Sequence, residues 1–277
     1  MPYRFVRLAV FVATLGAAGI ATAASAQARA QPAAPAKPAA LKVVARYDLS
    51  ITVDPNRPSE AVSRVKAAKG AMALLGGSIA AGTIEDVVSI GEETYTISSS
   101  GKAERLLATL LGGDTLSRRS EGAVGGGYLA SQRFSETRGS KRRLGVNTDY
   151  PKRIAIFYKN GRETKTEPVN YRIADSASMP YLFLRQPLPL TAMTIAATDG
   201  LAIREFIMKV SDETVQVGKA QVAAVHLTRD QRKGDDASLD LWLRKEDGMP
   251  LRFRVGLDDK YGVVLEQKLR ELPPIVK

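Results

Sequence analysis

His226 is the only histidine in the chain, so any acid–base scheme that needs an imidazole has to pass through it. In a Ser-His-Asp arrangement it would be the general base for a serine presented on a strained strand-to-helix elbow. No G-x-S-x-G elbow precedes a helix, and His226 lies within 221–228, opposite Ala223, Val225 and Leu227 in an alternating run. Alternation of this kind marks a strand, and the histidine is read as structural. One histidine cannot build a histidine-rich metal centre. Having no cysteine, the chain is also denied thiolate metal sites, disulfides and a lipid-anchoring cysteine. No metal and no cofactor is expected.

Three other groupings invite chemistry. Asp235, Asp236 and Asp240 look like cation ligands, but the central glycine and closing glutamate of a calcium loop are missing. Gly125-Gly126-Gly127 is followed by neither Lys-Ser/Thr nor a helix start, so it is a turn and not a phosphate cradle. Asp258-Asp259 sits in a hairpin turn, where aspartate serves the backbone. Two carboxylates can cleave a glycosidic bond only at the right separation, and spacing along a chain does not give it. Asp48, Asp175 and Asp240 stay open as such candidates for a hydrolase acting on an envelope polymer.

The charge is lopsided. Between Arg118 and Arg172 there are 13 Lys/Arg and 5 Asp/Glu, which accounts for most of the excess. Arg138, Lys141, Arg142, Arg143, Lys152 and Arg153 are the candidate basic surface. Such a segment either solvates a face or meets an anionic partner.

Compartment decides which partner. Arg4 and Arg7 precede an apolar run at 8–20, and Ala24-Ser25-Ala26 fits the small-x-small cleavage rule. Residues 1–26 read as a secretory signal peptide, followed by a Pro/Ala-rich leader at 27–40 and one β-rich domain at 41–273. No later segment reaches 18 apolar residues, so no transmembrane helix is expected. An exported, periplasmic protein points to anionic lipid or another envelope component as partner, and away from nucleic acid.

The elements that would position these residues are mostly strands. At 239–269, Leu239, Leu241 and Leu243 alternate with Asp240, Trp242 and Arg244; Met249, Leu251, Phe253 and Val255 alternate with Pro250, Arg252 and Arg254. With 263–269 this predicts a three-stranded meander whose apolar face needs a cover. It is read as the closing edge of the fold, with Pro250 at a strand start. Leu41–Val53 alternates likewise, and 79–90 with 94–98 forms a hairpin. A second hairpin turns at Asn160-Gly161, a strong signal. Further strands are expected at 191–199, 205–210, 214–217 and 221–228, and a mobile or helical insertion at 59–75.

Ala103, Leu106, Leu107, Leu110 and Leu111 follow helical spacing, with Ser100 as cap and Gly112-Gly113 as stop. This helix is the expected lid. A second short helix is expected at 175–185, capped by Asp175 or Ser178 and broken or begun at Pro180. The tally of about ten strands and two or three short helices predicts a mainly β protein built on an antiparallel, strongly twisted sheet. Leu106, Leu110, Tyr128, Trp242 and Phe253 are the candidate contacts for an apolar or amphiphilic ligand. Trp242, on the polar side of its strand, either binds that ligand or covers the sheet rim.

Several pieces, in order, resemble the bacterial exported family of domain of unknown function 3108. They are Tyr47-Asp48, Gly82-Thr83, the segment before Gly112, Ser120-Glu121-Gly122 before Tyr128-Leu129, and Asp175-x-x-Ser178 leading to Leu184-Arg185. The most specific block is Leu241-Trp242-Leu243, Pro250-Leu251-Arg252 and Tyr261-Gly262 before Leu269. Residues 55–72 look like added length relative to that pattern. The resemblance implies an envelope-associated β protein with no assigned catalytic residues. By analogy it implies a curved antiparallel sheet or open β-barrel with two or three short helices, similar to lipoprotein-carrier folds, enclosing an apolar groove. The function expected is then non-enzymatic binding of an apolar or amphiphilic ligand or an envelope partner, with assembly through a sheet edge as another reading.

Overall fold

The computed structural model of the chain describes residues 41–53, 78–104, 108, 113–125, 128–140, 142–230, 238–258 and 263–274. These form one sheet of fifteen strands. In chain order they are β1 (Leu41–Val53), β2 (Ser78–Ile90), β3 (Thr94–Ala103), β4 (Thr115–Ala123) and β5 (Ala130–Arg138). Next come β6 (Arg142–Asp149), β7 (Ile154–Lys159), β8 (Arg162–Pro168), β9 (Ala174–Asp175) and β10 (Met193–Thr198). β11 (Ile203–Val217), β12 (Ala220–Arg229), β13 (Leu239–Arg244), β14 (Pro250–Asp258) and β15 (Val263–Leu269) complete it. Each strand pairs with its sequence neighbour except at two places. β1 pairs with β15, which joins the first arm of the meander to the second, and β8 and β9 are the two edges. All pairings are antiparallel but the short one between β9 and β10. The sheet is not closed.

An open sheet this wide has to curl or split. Here it curls: the Ser131 amide of β5 donates to the Ile173 carbonyl at 2.7 Å, so the chain entering edge strand β9 lies against the other arm. Along β1, Ala45, Tyr47, Leu49 and Ile51 are buried on the concave side while Lys42, Val44, Arg46 and Asp48 are exposed, the period of two that the sequence shows. Register carries that side across the seam, with Tyr47 opposite Leu269 and Ile51 opposite Leu265.

Among the described residues, the concave side has a cover other than the one expected from the leucines. It is the chain's own crossing segment, 173–184, in which Ile173, Ala174, Asp175, Ser178, Tyr181 and Leu184 are all fully buried. Burying its large apolar side chains contributes on the order of 10 kcal/mol. Of the 103–111 helix, Ala103 is the last residue of β3, and Ser100 pairs with Glu85 and Ser117 inside the sheet instead of capping. The flanking strand offers a ladder partner as far as Ala103, so at that residue pairing takes precedence over helical spacing. Leu106, Leu107, Leu110 and Leu111 lie outside the described residues, as do 59–75 and the signal and leader segments. Among the described residues the helical content is Ala108 and one 3-10 turn, Met179–Tyr181, with Pro180 as its second residue, in place of two or three helices. Among the described residues no helix is long and apolar enough to cross a membrane.

The meander β13–β14–β15 exists as expected, but it is not an edge. β13 also pairs with β12 and β15 with β1, which places it mid-sheet. Pro250 is tolerated there because it is the first residue of β14. Strands β4, β5 and β6 were not legible, and the segments 205–210 and 214–217 are one strand, β11.

Candidate functional site

Two polar networks lie under the sheet, both built around the crossing segment. Asp175 is fully buried. Its Oδ1 accepts the amides of Ala177 and Ser178, each at 2.9 Å, an aspartate turn just ahead of the 3-10 turn, whose own N-cap, Ser178, makes no side-chain capping bond. Its Oδ2 accepts the Ser120 hydroxyl at 2.5 Å, and the Tyr95 phenol lies 3.0 Å from that hydroxyl. Burial raises the Asp175 pKa, while the hydroxyls of Ser120 and Ser131 pull it back. In the second network the Tyr181 phenol donates to Asp86 Oδ2 at 2.8 Å. The Tyr47 phenol sits 2.9 Å from Tyr181 and 3.2 Å from the Pro250 carbonyl. Asp86 is also raised, first by burial, against hydrogen bonds from Ser99 and Tyr181. Glu136, equally buried, is held by Arg118 at 2.9 Å and Arg138 at 2.6 Å. These carboxylates are engaged by their own chain, which is how buried charges are tolerated.

His226 lies on the convex side. Its ring stacks on Trp242 with centroids 4.2 Å apart, and Arg252 covers Trp242 at 4.6 Å. Nδ1 is 2.6 Å from Glu213 Oε1 and Nε2 is 3.1 Å from Asp240 Oδ1. The Trp242 indole donates to the other Glu213 oxygen at 2.7 Å. Register aligns this row, with His226 opposite Trp242 and Trp242 opposite Arg252. Burial disfavours the imidazolium, but hydrogen bonds to Asp240 and Glu213 outweigh it, and the His226 pKa is raised.

A raised folded pKa gives stability that is full below the unfolded value near 6.5 and is lost as pH climbs through the folded value. Wild type is therefore expected to lose stability between pH 6.5 and the alkaline side that His226→Gln does not lose. Urea denaturation at both ends measures this, and parallel pH profiles for the two proteins would refute it.

Two clefts open at the surface. One, of about 300 Å3, is lined by Ala123, Ala130, Tyr150, Arg153, Val169, Asn170, Tyr171 and Arg172. Arg153 closes the β6–β7 turn in the left-handed region at φ 56°, its amide donating to the Tyr150 carbonyl at 3.1 Å. The Arg172 guanidinium donates to the Gly125 carbonyl. The Tyr150 phenol donates to the Ser131 carbonyl at 2.9 Å, and burial pushes its pKa up to about 12. The other cleft, of about 450 Å3, lies between Gln186–Leu190 and Lys245–Gly248, beside a Lys245–Asp212 ion pair of 2.7 Å.

Those residues singled out in the sequence that fall among the described ones lie at separate places. Trp242 is buried with both ring faces occupied. Phe253 packs in the core opposite Leu241 and Gln267. Tyr128 is half-buried and donates to the Arg172 carbonyl at 3.3 Å. Leu106, Leu110 and Lys141 are outside the described residues. Among the basic residues, Arg138 turns inward to Glu136 and Lys152 pairs with Asp149 at 3.0 Å. Arg142 and Arg143 alternate to opposite sides of β6, leaving Arg153 alone at a cleft. Asp48 is exposed and pairs with Arg270 at 2.6 Å across the β1–β15 seam. Asp86, Arg172, Tyr150 and Glu213 were missed, because each gains its meaning from a partner on another strand. Only the apolar run Met179-Pro-Tyr-Leu-Phe-Leu184 carried a local sign of burial.

Against known families, residues 70–268 match the model described as protein of unknown function DUF3108. The chain belongs to the DUF3108 family. No curated protein matches this DUF3108 chain. Among solved structures it is similar to a beta-barrel-like protein of domain of unknown function DUF1849 from Brucella abortus. That similarity is 12% in identity over 82% of this chain and 94% of the other, with a TM-score of 0.44.

Proposed function

We propose that this DUF3108 protein is an exported, non-enzymatic binding protein of the cell envelope that holds an amphiphilic ligand at a surface cleft. The observation carrying this reading is that the chain fills its own concave side. Segment 173–184 occupies the place an acyl chain would take, and Asp86, Asp175 and Glu136 are engaged by neighbouring side chains and amides. The two clefts described above lie at the surface of the described residues, with apolar walls beside charged or aromatic groups, as ligand sites commonly have. Export rests on the basic start, apolar run and Ala24-Ser25-Ala26 of the first 26 residues. A hydrolase finds less support, since Asp48 and Asp240 are tied to Arg270 and His226. Assembly by strand addition finds less as well: edge strand β8 carries Arg162, Glu163, Lys165 and Glu167, charges that discourage edge pairing.

Native mass spectrometry of the protein purified from its own periplasm tests the reading. The expected spectrum contains a bound species of small-molecule mass that organic extraction releases. A protein that emerges ligand-free, and that cleaves envelope polymers in the same preparation, would refute it.

A further inference from the structure

The smaller cleft has a built-in peculiarity at Arg153. The β6–β7 turn needs a left-handed residue at its last position, where glycine or asparagine would sit without strain. The chain places an arginine there, at φ 56°. The side chain so held lines the cleft and makes no ion pair among the described residues. Arg172 approaches from the segment after β8, anchored by one nitrogen to the Gly125 carbonyl, and it too has no carboxylate partner among the described residues. Three acids of the surrounding strands are occupied. Asp149 is paired with Lys152 at 3.0 Å and Glu167 with Lys165 at 2.6 Å, while Glu205 hydrogen-bonds the Tyr171 phenol. Tyr150 spends its phenol on the Ser131 carbonyl and the Ile173 amide. The floor and wall are apolar, from Ala123, Ala130 and Val169.

We propose that this cleft is a receptor for one phosphate group, with Arg153 and Arg172 as its two guanidinium donors and the alanine–valine wall receiving the carbon attached to it. Two planar guanidinium groups, neither ion-paired among the described residues, suit a phosphate better than lysines would. A volume of about 300 Å3 admits a phosphate and its first few carbons but not an acyl chain, so the remainder of an amphiphile lies outside. The inference rests on the surface-cleft reading above and names its ligand class. Phosphate can arrive free or as a lipid headgroup, and the two sources separate by experiment.

The experiment titrates the full-length mature protein with inorganic phosphate and, separately, with monomeric dihexanoyl-phosphatidylglycerol, by calorimetry at low and at moderate salt. Wild type, Arg153→Gly and Arg172→Gln are compared. Arg153→Gly removes the guanidinium while relieving the left-handed strain, so its Tm is expected to be unchanged or slightly higher. Its affinity is expected to fall by about tenfold or more, the usual weight of one charge-assisted pair. Binding of the lipid alone assigns a headgroup, and equal binding of inorganic phosphate assigns a free phosphate; in either case both substitutions must weaken it and added salt must too. Equal affinity of wild type and Arg153→Gly overturns the cleft. If native mass spectrometry still shows a retained ligand in both, the binding reading stands at another place; if neither retains one, that reading falls as well.

Discussion

Gly248→Ala is expected to destabilise the protein by about 2–5 kcal/mol and to lower Tm by roughly 10 °C. Two costs add. Gly248 is in the left-handed region at φ 74°, which an alanine enters with strain. An added Cβ would also stand 2.1 Å from the Phe183 carbonyl oxygen and 2.7 Å from its carbon. Those atoms are backbone of the crossing segment, fixed on its far side by the Tyr181–Asp86 bond and next to it by the Arg185 amide donating to Asp247. They cannot step aside as a flexible side chain would. Gly161→Ala separates the terms, because Gly161 has φ 79° with nothing within 4 Å of its Cβ position. That variant is expected to lose only about 1 kcal/mol. Thermal and urea denaturation of the pair measures both, and equal losses would mean that the crossing segment yields freely.

Asp175→Ala is the second large effect, at about 3–5 kcal/mol. It strands the Ala177 and Ser178 amides in a buried site, leaves the Ser120 hydroxyl only the Tyr95 phenol, and opens a hole beneath them. Asp175→Asn keeps the volume and one acceptor, and it reports on charge. The Asp175 pKa is raised above 3.8 by burial, so its ionised form is the one that folding disfavours. Its contribution is full below the unfolded value and is lost as pH rises through the folded value. Wild type is thus expected to gain stability relative to Asp175→Asn as pH falls from neutrality toward about 4. Denaturation midpoints across that range check the sign.

Much of the frame was legible because many strands have one wet and one dry side. Tyr47, Leu49 and Ile51, or Leu239, Leu241 and Leu243, announce both the strand and the side that faces inward. The signal fails where the concave side is itself polar. Arg118 and Ser120 of β4 and Glu136 of β5 point inward, so no apolar alternation survives to be read. The cover seen among the described residues is 173–184, and its role depends on Asp86, Ser120 and Tyr47 from strands that are remote in sequence. Register and crossing are properties of pairing, and a single strand carries no record of its partner. The candidate cleft was less legible still. Arg153 stood out only as one of many basic residues, and its singularity is a backbone angle.

The seam between β1 and β15 also governs how the fold can come into being. Asp48 and Arg270 are 222 positions apart, yet their ion pair lies on the line that joins the two arms of the meander. Each arm can zip by local hairpins, the inexpensive kind of contact, but their union has to wait for the last strand to be made. Until then β1 and β14 are naked strand edges in what becomes the middle of the sheet, facing whatever the surroundings offer. The chain's greatest exposure to misassociation therefore falls in the interval before β15 arrives, and its final seven-residue strand acts as the clasp that ends it.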